Sequence, residues 1–440
     1  MKRRIFALLS CSTVACAIGY SGTAHAGSFA LREQSTIGLG QAFAGASAGA
    51  AGLGSMYWNP ATMTNNGGLQ IGADLAVLFP YSNVTPSAGT SSTLLYLGGA
   101  GSSGDIGGDA VLPAGYVSYQ VNDKLWVGFG TNTPFGLSTS YPTNYAGQIY
   151  ARDSTVRSID LNPNVAYAVT DWLSVGVGLQ AMYFKTELTR AISPFPYAPS
   201  AKLEGDDWGF GFTAGATIKP FEGTQIGIGY RSSVSLTLDG DLALGGQLGP
   251  LPRGTYPIGA DIDLPEQLTI GIQQAITPQL TLAGQFEWTN WSRLDNIPVV
   301  GTTGQTSGSE LTSLPFHYDD GYFVSAGLDY AWNDKLTIRG GLGYEWSPIT
   351  LDNRDLRLPD SNRVHASVGL SYRWSEQLTL DFAYSHIFAV GDGDISLTPG
   401  NPHYVSGLPF MADVDSRVDI VSFGLTYRFD TAKVTKLVTK

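Results

Sequence analysis

The feature that most constrains this chain is a repeat of short polar turns, each followed by a segment in which apolar and polar residues alternate. Residues 170–172 (TDW), for example, come directly before residues 173–179 (LSVGVGL). Tight turns between segments of period two are typical of β-hairpins. The same pattern predicts hairpin turns at residues 121–124, 170–172, 219–224, 277–279, 333–335 and 375–377.

Longer connections, rich in Gly, Ser, Pro and Asn, separate the hairpins. They cover residues 81–110, 133–153, 189–201, 239–262, 292–321, 349–362 and 389–415. Short turns at one rim and long loops at the other are the pattern of outer-membrane barrels. Six turns join twelve strands, and one more strand at each end, near residues 69–79 and 417–429, makes fourteen. We therefore predict an all-β fold, a membrane-spanning antiparallel β-barrel of fourteen strands over residues 69–429.

The two faces of the predicted strands fit this barrel. In residues 336–346, one parity is apolar or aromatic, whereas the other contains Thr337, Arg339 and Glu345. Successive strand side chains point to opposite faces, so the apolar set would face lipid and the polar set the lumen. A soluble β-sandwich also alternates, but tryptophans near both strand ends favour two membrane interfaces over an ordinary core. These tryptophans are Trp126, Trp172, Trp332 and Trp374 at the short turns, and Trp208, Trp288, Trp291 and Trp346 at the long loops.

Residues 1–26 have the build of a secretory signal peptide, with a basic start, an apolar core and the small-residue site Ala24-His25-Ala26. Acylation at Cys16, as in a lipoprotein, is the alternative. Both cysteines, Cys11 and Cys16, lie in this leader, so the mature chain would have no thiol chemistry. Removing the leader changes the net charge from −12 to −15, which disfavours nucleic acid as a partner. The mature chain also lacks the run of about 18 apolar residues that a transmembrane helix needs.

The N-terminal stretch of the mature chain, residues 27–68, lacks strand alternation and is packed with Gly, Ala and Ser. Glycine allows the close backbone approach that tight folding inside a lumen requires. The sequence Asn59-Pro60-Ala61 favours a turn that leads the chain into the first strand. We predict that residues 27–68 form a plug, or hatch, in the lumen, although a flexible tail would have the same composition. At the other end, residues 430–440 form a C-terminal extension.

Several blocks of the sequence resemble the FadL family of outer-membrane transporters of long-chain fatty acids, which includes hydrocarbon-uptake relatives. The blocks are residues 27–35 (GSFALREQS), 59–61 (NPA), 133–137 (TPFGL), 204–211 (EGDDWGFG) and 357–360 (RLPD). The resemblance implies a fourteen-stranded barrel with a plug and a kink in the third strand that opens the wall sideways. It also implies that the ligand binds in an apolar groove among the outer loops, passes to a pocket above the plug and leaves laterally. Eleven residues follow Phe429, whereas a terminal aromatic residue is usual for barrel assembly.

The predicted opening in the wall lies at the end of the third strand. Gly weakens strands and Pro cannot donate to the ladder, so their clustering here favours a break in pairing. The alternative is that Pro134 starts a loop and that the glycines only fill space in the lumen. The gate residues are Gly128, Gly130, Asn132 and Pro134, with the adjacent Phe135.

Candidate ligand-binding residues come from the inward parity. A fatty acid needs a guanidinium that is not already paired, and Arg231 and Arg339 are candidates because we expect both at mid-strand or higher. Both could instead pair with lumen carboxylates. Met182, Phe184 and Phe323 interrupt the polar inner face, which favours an apolar pocket or plain packing against the plug. The resemblance adds Phe29, near the new N-terminus, as a residue that reaches the ligand.

The leading functional hypothesis is uptake of long-chain fatty acids or other hydrophobic compounds across the outer membrane of a Gram-negative bacterium. The alternatives are a general porin for small polar solutes and an outer-membrane barrel hydrolase. No histidine of the mature chain has metal-ligand spacing or a recognisable Ser and Asp beside it, so we expect no enzyme, no metal and no cofactor. The expected partners are a hydrophobic small molecule, outer-membrane lipid and lipopolysaccharide, and the barrel-assembly machinery, with the protein acting as a monomer.

Overall fold

The computed structural model describes residues 28–98, 101–391 and 393–429. It confirms the all-β fold and the closed antiparallel barrel of fourteen strands. The first strand pairs with the last, from Gln70 opposite Arg428 to Pro86 opposite Ala412, so the sheet has no free edge. The strands, some in two segments, are Leu69–Pro86; Ala110–Gln120; Leu125–Asn132 and Gly136–Ser140; Asp153–Ala168; Leu173–Ala191; Ser200–Ile218; Thr224–Arg231 and Val234–Leu244; Gly254–Leu264 and Gln267–Ala275; Leu280–Thr289 and Asn296–Gly301; Glu310–Pro315 and Gly321–Ala331; Leu336–Trp346; Asn362–Arg373; Leu378–Val390; and Phe410–Arg428.

All six predicted tight turns join neighbouring strands. The long loops are shorter than predicted, because the strands continue into them. Residues 239–262 are not one loop, since Val234–Leu244 and Gly254–Leu264 form a paired hairpin there. Alternation continues in these segments with the apolar residues inward, as at Leu236 and Leu242, which are buried. A short strand, Ile395–Leu397, pairs with the last strand within the final loop.

The faces of the barrel alternate as predicted. On the fifth strand, Val177 and Leu179 are 61% and 65% exposed, whereas the neighbouring Gln180 is 2% exposed. Exposed apolar side chains on the outside and buried polar ones inside suit a wall that faces lipid outward.

The tryptophans follow the predicted girdles only in part. Trp172, Trp332, Trp374, Trp208 and Trp346 are exposed on the outside. Trp126 and Trp291, in contrast, are buried, so their assignment to the membrane interfaces was wrong. The Trp126 indole points inward and donates to the carbonyl of Asn66 at 2.7 Å. The position of Trp126 next to a turn did not indicate on which face of the strand its ring lies.

The helical elements are short. They are the α-helices Thr36–Leu39 and Ser92–Gly98 and the 3₁₀ helices Ala46–Ala48, Gly52–Tyr57, Pro60–Asn65, Trp291–Arg293 and Gly304–Thr306. Within the described residues, no helix has the length and apolar character needed to cross a bilayer.

The four helices between residues 36 and 65 lie within the ring of strands. Pro60–Asn65 contacts the fourth to sixth strands, Ala46–Ala48 the seventh and eighth, Thr36–Leu39 the twelfth to fourteenth, and Gly52–Tyr57 the first and second. Most residues of this segment are buried. The predicted leader, residues 1–26, and the C-terminal extension, residues 430–440, lie outside the described residues.

Candidate functional site

The N-terminal segment, residues 28–68, is held in shape by local caps. The hydroxyl of Ser35 accepts a hydrogen bond from the amide of Gly38 at 3.1 Å and so caps Thr36–Leu39. The side-chain oxygen of Asn59 accepts from the amide of Ala61 at 2.9 Å, and Pro60 begins the helix that follows. Ser and Asn at the N-cap with Pro at the next position favour a helix start.

Asn59 also ties this segment to the wall. Its side-chain amide donates to the carbonyl of Ala216 on the sixth strand at 2.9 Å and to that of Ser47 at 2.8 Å. Next to it, the backbone of Ala61 lies against Gly176, where an added Cβ would be 2.5 Å from the Ala61 nitrogen. Asn59, Pro60 and Ala61 therefore lie where the segment meets the fifth and sixth strands.

Inward-facing glycines of the wall allow this close contact. A Cβ added to Gly341 would overlap the carbonyl group of Gln41, and one added to Gly229 would overlap the carbonyl of Trp58. The neighbouring Gly340 has the opposite parity, and its nearest contact would be at 3.9 Å. The barrel thus has no room for side chains at the positions where the backbone of the N-terminal segment passes.

The third strand is interrupted between Asn132 and Gly136. Its pairing with the second strand runs to Gly115 opposite Thr131 and stops there. One isolated bridge, between Gly107 and Thr139, joins the two sides further up. The ladder between the second and third strands is therefore broken beside Pro134.

The N-terminal segment takes up the pairing at this break. The amide of Leu31 donates to the carbonyl of Pro134 at 2.8 Å, and the amide of Gly136 donates to the carbonyl of Phe29 at 2.9 Å. Ala30 and Phe135 face each other between these two bonds as an antiparallel bridge. Residues 29–31 thus form a short added strand on the exposed edge of the third strand.

The remaining predicted gate residues lie close by. The Asn132 side chain donates to the hydroxyl of Tyr116 at 2.7 Å and to the side-chain oxygen of Gln34 at 3.2 Å. Gly128 and Gly130 lie below the break, in a part of the strand that is regularly paired on both sides. The structure therefore brings Asn132, Pro134 and Phe135 together at the interruption, whereas both glycines belong to the regular ladder.

An aromatic cluster covers the inner side of the break. The ring centroid of Phe29 lies 4.8 Å from that of Trp291, 5.8 Å from that of Phe135 and 6.5 Å from that of Phe184. Met182 is buried in the same cluster. Phe29, Met182 and Phe184 thus meet as one apolar group, and Trp291 is the member that the sequence did not assign to the lumen.

Phe323 and Arg339 lie apart from this cluster. Phe323 packs under the guanidinium of Arg32, whose carbon is 4.2 Å from the ring centroid. Arg339 pairs with Asp329 at 3.0 Å and donates to the hydroxyl of Ser371 at 2.6 Å. It is the fourth residue of Leu336–Trp346, close to the short-turn rim, so the expectation of a mid-strand or higher position was wrong.

Arg231 is mid-barrel and 5% exposed, and its guanidinium makes three hydrogen bonds. Its guanidinium donates to a carboxylate oxygen of Asp160 and to the side-chain oxygen of Gln180, each at 2.6 Å. It also donates to the carbonyl of Tyr57 at 3.0 Å, and its carbon lies 4.2 Å from the Tyr57 ring centroid. Arg231 therefore joins the fourth, fifth and seventh strands to the N-terminal segment.

Arg32 makes a buried ionic contact between the N-terminal segment and the wall. Its guanidinium lies 2.7 Å from a carboxylate oxygen of Glu287 and 2.9 Å from one of Glu345. Burial opposes the charge on Arg32, but the two carboxylates raise its pKa above the ordinary value. The next residue, Glu33, is also buried, and burial raises its pKa above 4.5.

Two cavities lie along the lumen. The inner cavity, about 30 Å³, is lined by Phe135 and Met182 of the aromatic cluster and by Arg32 and Arg231, and it has room for one or two waters. The outer cavity, about 580 Å³, lies among the long loops. Leu188, on the outer cavity, follows Met182, on the inner one, along the fifth strand, which places the two roughly 20 Å apart.

The outer cavity, called the vestibule below, combines apolar walls with a few charges. Its apolar lining includes Leu203, Leu242 and Leu314. Asp355 accepts a hydrogen bond from Arg357 at 3.0 Å, whereas Arg190 has no ion pair among the described residues. Arg190 was not among the predicted site residues. Its position near the loop end of the fifth strand, two residues after the inward-facing Leu188, could have indicated it.

Comparisons with known proteins agree on one family. The family described as outer membrane protein transport protein (OMPP1/FadL/TodX) matches residues 17–429. A long-chain fatty acid transport protein of Escherichia coli O6:H1 is 28% identical over 429 residues, covering 88% of this chain and 94% of the relative. Outer membrane protein P1 of Haemophilus influenzae is 27% identical over 405 residues, covering 83% and 87%.

Solved structures show the same fold. A Pseudomonas aeruginosa FadL homologue superposes with a TM-score of 0.81 at 24% identity, covering 92% of this chain and 100% of that one. The Ralstonia pickettii toluene transporter TbuX superposes with a TM-score of 0.67 at 20% identity, covering 91% and 100%.

Proposed function

The chain belongs to the OMPP1/FadL/TodX family of transport proteins of the Gram-negative outer membrane, and we propose that it takes up long-chain fatty acids or other hydrophobic compounds. Residues 28–68 would act as the plug of this transporter. The observation that carries the proposal is the contact of residues 29–31 with the broken third strand, beside a buried aromatic cluster.

Capture would begin in the vestibule. A cavity of about 580 Å³ falls in the range of small-molecule sites, and its leucines offer apolar surface to a ligand that arrives from water. Each buried CH₂ group of such a ligand contributes roughly 0.8 kcal/mol, so the vestibule needs no energy source to bind it.

Passage to the inner cavity would require Phe29 to move. At about 30 Å³ the inner cavity has no room for a ligand, and the ring of Phe29 packs against that of Phe135, which lines the cavity. Withdrawal of Phe29 would enlarge this space and, because Phe29 and Leu31 supply the backbone bonds to the third strand, would also open the wall.

Release would be lateral, through the break into the membrane. Ile159 on the fourth strand, near the break, is exposed on the outer face, as is Phe129 on the third strand below it. A ligand that leaves through the break would therefore meet the apolar surface that faces lipid.

A reversible disulfide tests this route. Ala30 and Phe135 form the antiparallel pair that lies between the two backbone bonds, a geometry with Cα atoms about 4.5 Å apart, which a disulfide can span. Uptake of a labelled long-chain fatty acid and of a labelled alkane would be measured in cells without their own transporter. The double variant Ala30→Cys/Phe135→Cys should lose uptake when oxidised and regain it on reduction.

Each single cysteine variant is the control and should be insensitive to reductant. Equal uptake by the oxidised and reduced double variant would refute the gate at the third strand. Sugar flux through the protein in liposomes would instead favour a porin.

We further propose that the protein works as a monomer, contacts lipopolysaccharide with its outer face and is inserted by the barrel-assembly machinery. The family description and the name of the Escherichia coli relative are those of transport proteins, which is consistent with the expectation that the chain is not an enzyme.

A further inference from the structure

The inner cavity is lined by two arginines, and each of them already has a carboxylate partner. Arg231 lies 2.6 Å from Asp160, which is fully buried, and its other donors go to Gln180 and the Tyr57 carbonyl. The sequence allowed Arg231 to be an unpaired guanidinium for a fatty acid headgroup. These three hydrogen bonds use three of the five N–H groups of the guanidinium, and Asp160 neutralises its charge.

Arg32 also has no unpaired charge to offer a ligand, because two carboxylates face its single positive charge. It faces Glu287 and Glu345 together, and Glu33 is buried beside it in the chain. Glu345 also contacts Arg363, which in turn pairs with Asp360. The acids around the cavity therefore match or outnumber the bases.

A carboxylate that entered this cavity would lack a cation. It would have to remain unpaired in a buried site or displace Asp160 from Arg231, and either outcome leaves one buried negative charge without a partner. An uncharged apolar molecule has no such penalty and needs only the space that Phe29 fills.

We propose that the inner pocket selects uncharged apolar molecules, such as hydrocarbons, long-chain alcohols or esters, and discriminates against carboxylates. The proposal rests on the uptake function above and narrows its cargo. Asp160 is the specificity-determining residue, because it neutralises the arginine that would otherwise bind the headgroup.

Methyl laurate and laurate test the proposal, since they share one chain and differ in charge. Each would displace an uncharged fluorescent naphthylamine probe from the purified full-length protein in a non-ionic detergent at pH 8. For the wild-type protein, laurate should need at least about tenfold more ligand than the ester, the scale of one buried charged hydrogen bond. Because detergent partitioning is the same for every variant, comparisons among variants report on the protein.

Asp160→Asn should improve laurate displacement about tenfold and leave the ester unchanged, because Arg231 would no longer have an anionic partner and the laurate carboxylate could take that place. Glu287→Gln, which relieves the acid excess around Arg32, should act in the same direction and serves if Asp160→Asn does not fold. The matched control is Asp419→Asn, which removes one negative charge at a residue paired with His386 on the outer face.

Equal displacement by laurate and ester in the wild-type protein, with no gain in either lumen variant, would overturn the selectivity. A gain in Asp419→Asn as large as in Asp160→Asn would also overturn it, since net charge would then explain the effect. Failure of the probe and both ligands to bind at all would instead contradict the proposed uptake function.

Discussion

The backbone amide of Leu31 donates to the carbonyl of Pro134 at 2.8 Å, so the chain's own N-terminal segment holds a place beside the third strand that the second strand leaves empty. Two backbone hydrogen bonds close this edge, whereas the first and last strands, for example, are paired from Gln70 to Pro86. A region closed by few bonds opens at lower free energy than a paired core strand. In the proposed lateral release, the side chains that hold residues 28–35 in place would therefore determine how easily the wall opens.

In the proposed route, Phe29 occupies space that the ligand needs. Phe29→Ala should tighten binding of an uncharged apolar probe about tenfold, because the ligand no longer has to displace the ring. Fluorescence titration of the purified protein measures this. Phe29→Leu keeps an apolar group of similar volume and should bind close to the wild-type level. Unchanged affinity in Phe29→Ala would show that Phe29 does not compete with the ligand.

The pair Gly340 and Gly341 tests how tightly the N-terminal segment fits the wall. Gly341→Ala would place a methyl group on the Gln41 carbonyl and should destabilise the folded protein by about 3 kcal/mol. Gly340→Ala points outward into open space and should stay within about 0.5 kcal/mol of wild type. Urea unfolding in liposomes, followed by tryptophan fluorescence, compares them. Equal stabilities would mean that the segment yields easily at Gln41.

Glu33 should make the protein less stable as the pH rises. Burial raises the pKa of this carboxyl above 4.5, and one of its oxygens has no hydrogen-bond partner among the described residues. An acid with a raised folded-state pKa stabilises the fold at low pH, and this contribution is lost as the pH rises from 4.5 through the folded-state pKa. Glu33→Gln should remove that part of the pH dependence and be the more stable protein at pH 8.

The temperature at which the heat-modifiable electrophoretic band disappears, measured between pH 4 and pH 8, would report this difference. Parallel curves for Glu33→Gln and the wild-type protein would mean that Glu33 does not titrate in this range.

Arg190 should matter for charged ligands only. It lines the vestibule without an ion pair among the described residues, so a carboxylate there would gain a charged hydrogen bond. Arg190→Gln should raise the laurate concentration for half-maximal uptake about tenfold and leave alkane uptake unchanged. Arg157→Gln, on the exposed outer face of the fourth strand, is the matched control. Parallel losses for laurate and alkane would indicate a role of Arg190 in the shape of the vestibule instead.

The barrel could be read from the sequence because its strands obey one local rule. Side-chain parity and the six tight turns are properties of neighbouring residues, so strand number and facing follow without knowledge of the third dimension. Trp126 and Trp291 were placed on the wrong side because they were assigned from their nearness to a turn or a loop, which does not tell on which face of the wall a ring lies.

The ionic contacts of the inner pocket, in contrast, could not be predicted from the sequence, because they join residues that are far apart along the chain. Arg231 meets Asp160 and Gln180 only because the register of the fourth, fifth and seventh strands brings them to one height around a closed ring. Likewise, the bond between Leu31 and Pro134 joins residues about one hundred positions apart, and alternation within a strand says nothing about either. The interruption of the third strand near Pro134 could be anticipated from its residue types, but its N-terminal partner strand could not.

The glycines beneath the N-terminal segment also limit how this protein can be recombined. Because these glycines have no side chains, the wall accommodates one particular path of the segment's backbone, for example at Gln41 and Trp58. A graft of this segment into a related barrel would meet side chains wherever the host lacks the matching glycine. A chimera between relatives therefore has to transfer the N-terminal segment together with the strands that carry the matching glycines.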